Sequence, residues 1–190
     1  MINCKNDLKR YLRIDKMTLG VPDTKKYPKL LGGDEIWKFQ IILRYHEYYN
    51  NCHKSKIDRL LLKIFSLLHH YYGIKLGFEI PCNVFEEGLK INHRGPIIVN
   101  PKAKIGKFCD IHSGVNIGQN IAPDDVPVLG DNVWIGPGAK IFGKIFIADN
   151  IAIGANSVVN RSFAEQNITI AGIPAKKIKD SGNPYKRAII

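Results

Sequence analysis

The chain has 190 residues, 28 Lys and Arg against 17 Asp and Glu, and a formal charge of +11. That length allows one globular unit with a real core and an appendage. Cys4, Cys52, Cys82 and Cys109 lie far apart with no CxxC pair, which implies neither a zinc cluster nor a disulfide framework and fits a reducing cytoplasm. The positive charge invites nucleic acid or a membrane surface, yet no recognition motif accompanies it and the lysines are scattered. A basic soluble surface, in part facing a polyanionic small molecule, is the plainer reading. The charged opening MINCKNDLKRYLRIDK is no signal peptide. The apolar run at 60–68 is broken by Lys63 and too short to cross a bilayer.

Residues 1–34 mix charges with turn formers and predict one short helix over 7–13. Asp34 is placed to cap a second helix with Ile36, Trp37, Phe39, Ile41, Leu43 and Tyr45 on its apolar face. Asn50 and Asn51 break it. A third helix over 55–72 carries Ile57, Leu60, Leu61, Ile64, Leu67 and Leu68 at helical spacing, with Gly73 as its stop. His46, His53, His69 and His70 fall here. Neighbouring helical residues point about 100° apart, so His69 and His70 do not readily share an ion, and surface or helix-end roles are expected for all four.

From residue 99 an aliphatic side chain recurs every sixth position: Val99, Ile105, Ile111, Ile117, then Pro123, Leu129, Ile135, Ile141, Ile147, Ile153 and Val159. A second column follows four residues after each: Ala103, Cys109, Val115, Ile121, Pro127, Val133, Ala139, Ile145, Ile151, Ser157 and Phe163. Period six fits neither one helix nor one long strand. It is a hexapeptide repeat that winds into a parallel β-helix with both columns inside. Irregular units at Ile80, Val84, Phe85, Leu89 and Ile91 precede it. Between Ile91 and Val99 lie eight positions where six are expected, so one coil bulges beside Asn92, His93, Arg94, Gly95 and Pro96, and such breaks are where functional groups tend to sit. The predicted organisation is a helical region over 1–76, a β-helix over 77–179, and a tail over 180–190 that is mobile or a short cap.

The helical lead-in, INHRGPIIVN with its two-residue excess, IGKFCDIHSGVNIG, DNVWIGPGAKI, IGANSVV and AGIPAKKI together resemble the hexapeptide-repeat acyltransferases of the serine acetyltransferase-like branch, over about residues 55–179. The resemblance implies a mainly β fold, a left-handed parallel β-helix with an N-terminal α-helical lead-in, assembled as a homotrimer with acetyl-CoA in the groove between neighbouring prisms. Handedness rests on the resemblance alone, since the general crossover rule favours the right-handed form.

Acetyl transfer to an alcohol needs a base, and imidazole suits neutral pH. His93 and His112 are the only histidines of the repeat region. His93 matches the family's catalytic histidine; a structural or interface role is the alternative. His112 should stand one coil along on the same face, touching acceptor or pantetheine, or serving as an ordinary interface residue. Glu79 is the nearest match to the acid that orients the base, one residue short in spacing, with a solvated glutamate as the alternative. Asn92 joins the substrate side. Ala155, Ala171, Gly172, Lys176 and Lys177 match the acetyl-CoA positions, where small residues let backbone donors approach and lysines meet phosphate.

Serine acetyltransferases proper carry a loop ending in a second active-site histidine before a proline. Here Val126 precedes Pro127, and the unbroken six-residue count predicts no inserted loop. Acetylation of a sugar hydroxyl on a surface polysaccharide or its precursor is therefore the first expectation, with Asp124 and Asp125 touching the sugar or simply facing solvent. Serine O-acetylation is the alternative. A zinc hydratase of similar architecture needs three histidines on one metal, against two in the repeats, so no metal is expected. A non-catalytic scaffold is the remaining possibility.

Overall fold

A computed structural model describes residues 1–30, 32–52 and 54–185. The expectation for His53 and the last part of the predicted tail, 186–190, lie outside the described residues. Three helices lead: α1 (Lys5–Thr18), α2 (Glu35–Cys52) and α3 (Lys56–Leu76). Fourteen short strands follow, from β1 (Phe78–Glu79) to β14 (Ala175–Lys179).

The strands build three faces, parallel throughout except that the edge strand β14 pairs antiparallel with the strand before it. One joins β1, β3 (Ile97–Val99), β6 (Asn116–Gly118), β9 (Lys140–Phe142) and β12 (Val158–Val159). A second joins β4 (Lys104–Ile105), β7 (Val128–Leu129) and β10 (Phe146–Ile147). The third runs through β2 (Lys90–Ile91), β5 (Asp110–Ile111), β8 (Trp134–Ile135), β11 (Ala152–Ile153), β13 (Thr169–Gly172) and β14. We call them faces one, two and three; the chain visits them in that order in every coil. Both predicted columns point inward: Ile105, Ile111, Ile117, Ile135, Ile141, Ile147, Ile153 and Val159 are buried, as are Cys109, Val115, Val133, Ala139 and Ser157. Each buried Ile or Val is worth roughly 1.5–3 kcal/mol against exposure.

Register measures the coils. Ile135 pairs with Ile153 and Ile141 with Val159, eighteen residues apart, three hexads. Ile91 pairs with Ile111, twenty apart, so the two extra residues beside His93 are real. Ile105 pairs with Leu129, Ile111 with Ile135 and Ile117 with Ile141, all twenty-four apart. One whole hexad therefore leaves the coil between β6 and β7. The expectation of no inserted loop is wrong. An insertion equal to the period preserves the count and hides itself. Ile121, predicted inside, is 92% exposed at its tip, whereas Pro127 rejoins the buried column.

The lead-in departs from prediction in five places, the first being that α2 runs through Asn50 and Asn51, which were expected to break it. Helix α1 is twice the expected length. Asp34 does not cap α2 through its side chain: it sits at φ 59 and its carboxylate accepts from the Lys29 amide. Helix α3 starts on a capping box between Ser55 and Asp58 and ends at Gly77, left-handed at φ 79. Gly73, predicted as the stop, lies inside the helix, where its lack of a side chain makes room for the Phe78 carbonyl oxygen, 2.8 Å from where a Cβ would stand. The predicted apolar stripe of α3 mostly faces outward: Ile57, Leu60, Ile64, Leu67 and Leu68 are exposed.

A buried ionic clamp docks α1 and α2 on the first coil. The fully buried Arg44 guanidinium donates to Asp15 at 2.7 Å, to Glu47 at 2.9 Å and to the carbonyls of Phe85 and Glu86, each at 2.9 Å. Asp15 accepts in turn from the Gly88 and Leu89 amides, and Glu47 from the Asn83 amide. Nearby, burial pushes the His69 imidazole down to about 4 and the Cys82 thiol up to about 12. Burial likewise holds His46 below its ordinary value. No helix among the described residues is long and apolar enough to cross a membrane.

Candidate active site

The corners that carry the chain from face three to face one stack into a single edge. Backbone bonds join them rung by rung: the Asn92 amide to the Ile111 carbonyl at 3.1 Å, Gly114 to Pro96 at 2.6 Å, Gly138 to Ser113 at 3.0 Å, Asn156 to Pro137 at 2.9 Å and Gly154 to Ile170 at 2.8 Å. His93, His112, Ala155, Ala171 and Gly172 thus share one line on the prism. The close stacking itself demands small residues: a Cβ on Gly154 would stand 2.8 Å from that of Ala171.

The two imidazoles lie with ring centroids 6.4 Å apart. His93 is exposed at the bulged corner and makes no hydrogen bond among the described residues. His112 is half-buried, and its Nδ1 donates to the Ile135 carbonyl at 2.9 Å. That bond selects the tautomer with its lone pair on Nε2. Trp134 packs edge-on against it at 5.0 Å, and the buried Trp134 indole N–H has no acceptor among the described residues.

Asp110 was missed by sequence reasoning. Its fully buried carboxylate accepts from the Asn92 side-chain amide, pairs with the Lys90 ammonium at 3.3 Å and lies 3.9 Å from His112 Nδ1. Lys90, Asp110 and Trp134 occupy one register line across β2, β5 and β8. The available signal was a charged residue flanked by column positions, in CDIH, where alternation alone predicts a solvated group. Asn92, expected on the substrate side, spends its amide on Asp110.

Glu79 is exposed on β1, in register with Ile98 on face one, and no hydrogen bond joins it to His93. The carboxylate seen beside one of the two imidazoles is that of Asp110, 3.9 Å from His112 Nδ1. Asp124 and Asp125 lie on the looped-out hexad, at the corner between faces one and two, so within one chain they do not meet His93. Asp124 pairs with Lys102 at 2.6 Å, and the Asp125 carbonyl accepts from the Asn120 amide. Ala155 and Gly172 are exposed, and Ala171 is half-buried. Lys176, in register with Ala171, has no ion-pair partner among the described residues, whereas Lys177 is held by Glu165 and Asp180, both at 2.5 Å. Residues 180–185 do not trail away. The Asn183 side-chain amide donates to the Asn132 carbonyl at 3.1 Å, and Tyr185 lies 4.7 Å beneath the Lys90 ammonium.

No family model matches the chain. Among curated relatives, the serine acetyltransferase of Staphylococcus aureus is 38% identical over 155 residues, 80% of this chain and 67% of its own length. That of Synechococcus elongatus is 36% identical over 119 residues, 61% of this chain and 48% of the relative. The chain thus spans about half of the second and two thirds of the first. Among solved structures, serine acetyltransferase from Brucella abortus superposes with a TM-score of 0.71 at 24% identity, covering 94% of this chain and 71% of that one. The Neisseria gonorrhoeae enzyme gives 0.68 at 25%, covering 93% and 68%. The three-faced prism is the left-handed parallel β-helix expected from the motifs. With the staphylococcal identity sustained over two thirds of the relative, this chain belongs to the serine acetyltransferase family.

Proposed function

We propose that the protein moves an acetyl group from acetyl-CoA to a hydroxyl, with L-serine as acceptor. The observation that carries the reaction class is the exposed His93 beside His112, on one edge with Ala155, Ala171 and Gly172. A Brucella abortus relative was solved with coenzyme A, which supports the donor. In this reading His93 removes the hydroxyl proton as the oxygen attacks the thioester carbonyl. The C–S bond then breaks, and the imidazolium returns its proton to the departing thiolate, leaving an O-acetyl ester and free coenzyme A. His112, its tautomer held by Ile135, offers an Nε2 lone pair to the acceptor. Lys176 supplies charge toward phosphate.

The relatives' names and the looped-out hexad both favour serine over the sugar first expected from sequence. One observation still favours a sugar hydroxyl: Val126 stands before Pro127 where the serine-type motif has histidine, and Asp124 and Asp125 beside it are acidic. Assembly as a homotrimer, working in the cytoplasm, completes the proposal. The exposed stripe of α3 and the open edge are the surfaces that copies would cover.

Thiol release from acetyl-CoA tests the reading, with L-serine, nucleotide sugars and oligosaccharides offered separately. Turnover with serine supports it; turnover confined to sugars transfers the reading to that class; none with any hydroxyl leaves the scaffold. His93→Ala should cut kcat by roughly 10²–10⁴-fold, while His112→Ala should act mainly on KM. The reverse pattern exchanges the two roles. Light scattering in solution reads the trimer.

A further inference from the structure

Away from the imidazole pair, three donors meet where the helices join the first coil. His46 comes from α2, His69 from α3, and Cys82 from the turn after β1. The two Nδ1 atoms lie 2.9 Å apart, and Cys82 Sγ lies 3.2 Å from His46 Nδ1. All three ligand atoms fall within 4.8 Å of one another, and all three residues are partly buried. Protons satisfy such a set only in pairs, because one nitrogen faces both other heteroatoms. A single cation at the centre satisfies all three at once.

We propose that His46, His69 and Cys82 form a binding site for a zinc-like divalent ion, with the fourth position open to solvent. Two imidazoles and a thiolate are a borderline-soft set that suits tetrahedral zinc and disfavours magnesium or calcium. A cavity of about 660 Å³, lined by His46, His69, Gly73, Glu79, Pro96 and Ile98, reaches both rings and supplies the entry path. Binding replaces the Cys82 S–H proton, which leaves to solvent, by a sulfur–metal bond; no electron is transferred. The ion would pin α2 and α3 to the turn that enters the prism. It takes no part in the acetyl transfer.

Metal-free full-length protein is titrated with Co²⁺, and with Zn²⁺ in competition against a chromophoric chelator. The site predicts one ion per chain, intense tetrahedral d–d bands and a sulfur-to-cobalt charge-transfer band. Cys82→Ser should abolish the charge-transfer band. His46→Gln and His69→Gln should each weaken binding by roughly 100-fold or more, since loss of a group that merely hydrogen-bonds a metal ligand already costs up to that, while Cys52→Ser should change nothing. Circular dichroism checks that each variant folds, and Zn²⁺ should raise the Tm of the parent protein but not of Cys82→Ser, whose volume is nearly conserved. An octahedral spectrum, no saturable binding, or tetrahedral binding that survives Cys82→Ser with its charge-transfer band intact would each overturn the proposal.

Discussion

The prism and its helical lead-in are stabilised in opposite ways. The prism repeats one solution: two aliphatic columns, parallel rungs and short corners, with each coil burying the next. The lead-in uses unique polar residues, and Arg44 alone joins α1, its own helix α2 and the carbonyls of Phe85 and Glu86 in the first coil. A repeat specifies itself, since any hexad in phase packs on any other. A docking surface has no such redundancy, and directional bonds to a buried charge fix one placement. The difference predicts that damage to the lead-in is all-or-none, whereas damage to the prism is graded along its length.

Three substitutions and one deletion break or sharpen that contrast. Arg44→Met should cost the most, about 3–5 kcal/mol, because it strands Asp15 and Glu47 without their cation; denaturant midpoints measure it. A loss under about 1 kcal/mol would show that the clamp does not hold the helices. Ile135→Ala removes a fully buried column residue and should cost about 2–5 kcal/mol. Native-state hydrogen exchange should show that loss concentrated in β5, β8 and β11. Gly73→Ala sets a helix-propensity gain of about 1 kcal/mol against overpacking on Phe78 of about 1–3 kcal/mol. A lowered Tm is expected, and a raised one would mean the entry to β1 shifts freely. Removing residues 120–125 should change stability by less than about 1 kcal/mol, because the hexad contributes no rung. The acceptor preference should change instead, read as kcat/KM for serine against sugars.

Legibility followed the same divide. The columns from Val99 to Val159 could be read directly because each position's burial is set by its own coil. The two-residue bulge was visible as a break in period. The looped-out hexad was invisible for the opposite reason: six residues inserted into a period of six leave no break. Helix α3 was recognised as amphipathic, but periodicity reports that a stripe exists, not which way it points. The burial of Arg44 and Asp110 gave no signal in the sequence, because the partners that enclose them lie far away in the chain. That His93 and His112 stand together one coil apart was legible in the sequence, whereas the bond to Ile135 that selects the His112 tautomer was not.

By itself the sequence determined the repeat, its inward columns, the bulge beside His93 and the acyltransferase resemblance, since these depend on local spacing. Only the tertiary structure decided which hexad leaves the wall, which acid lies beside His112, and that His46, His69 and Cys82 converge. Each of those is a contact between segments whose separation in the chain carries no period, so only packing in three dimensions selects it.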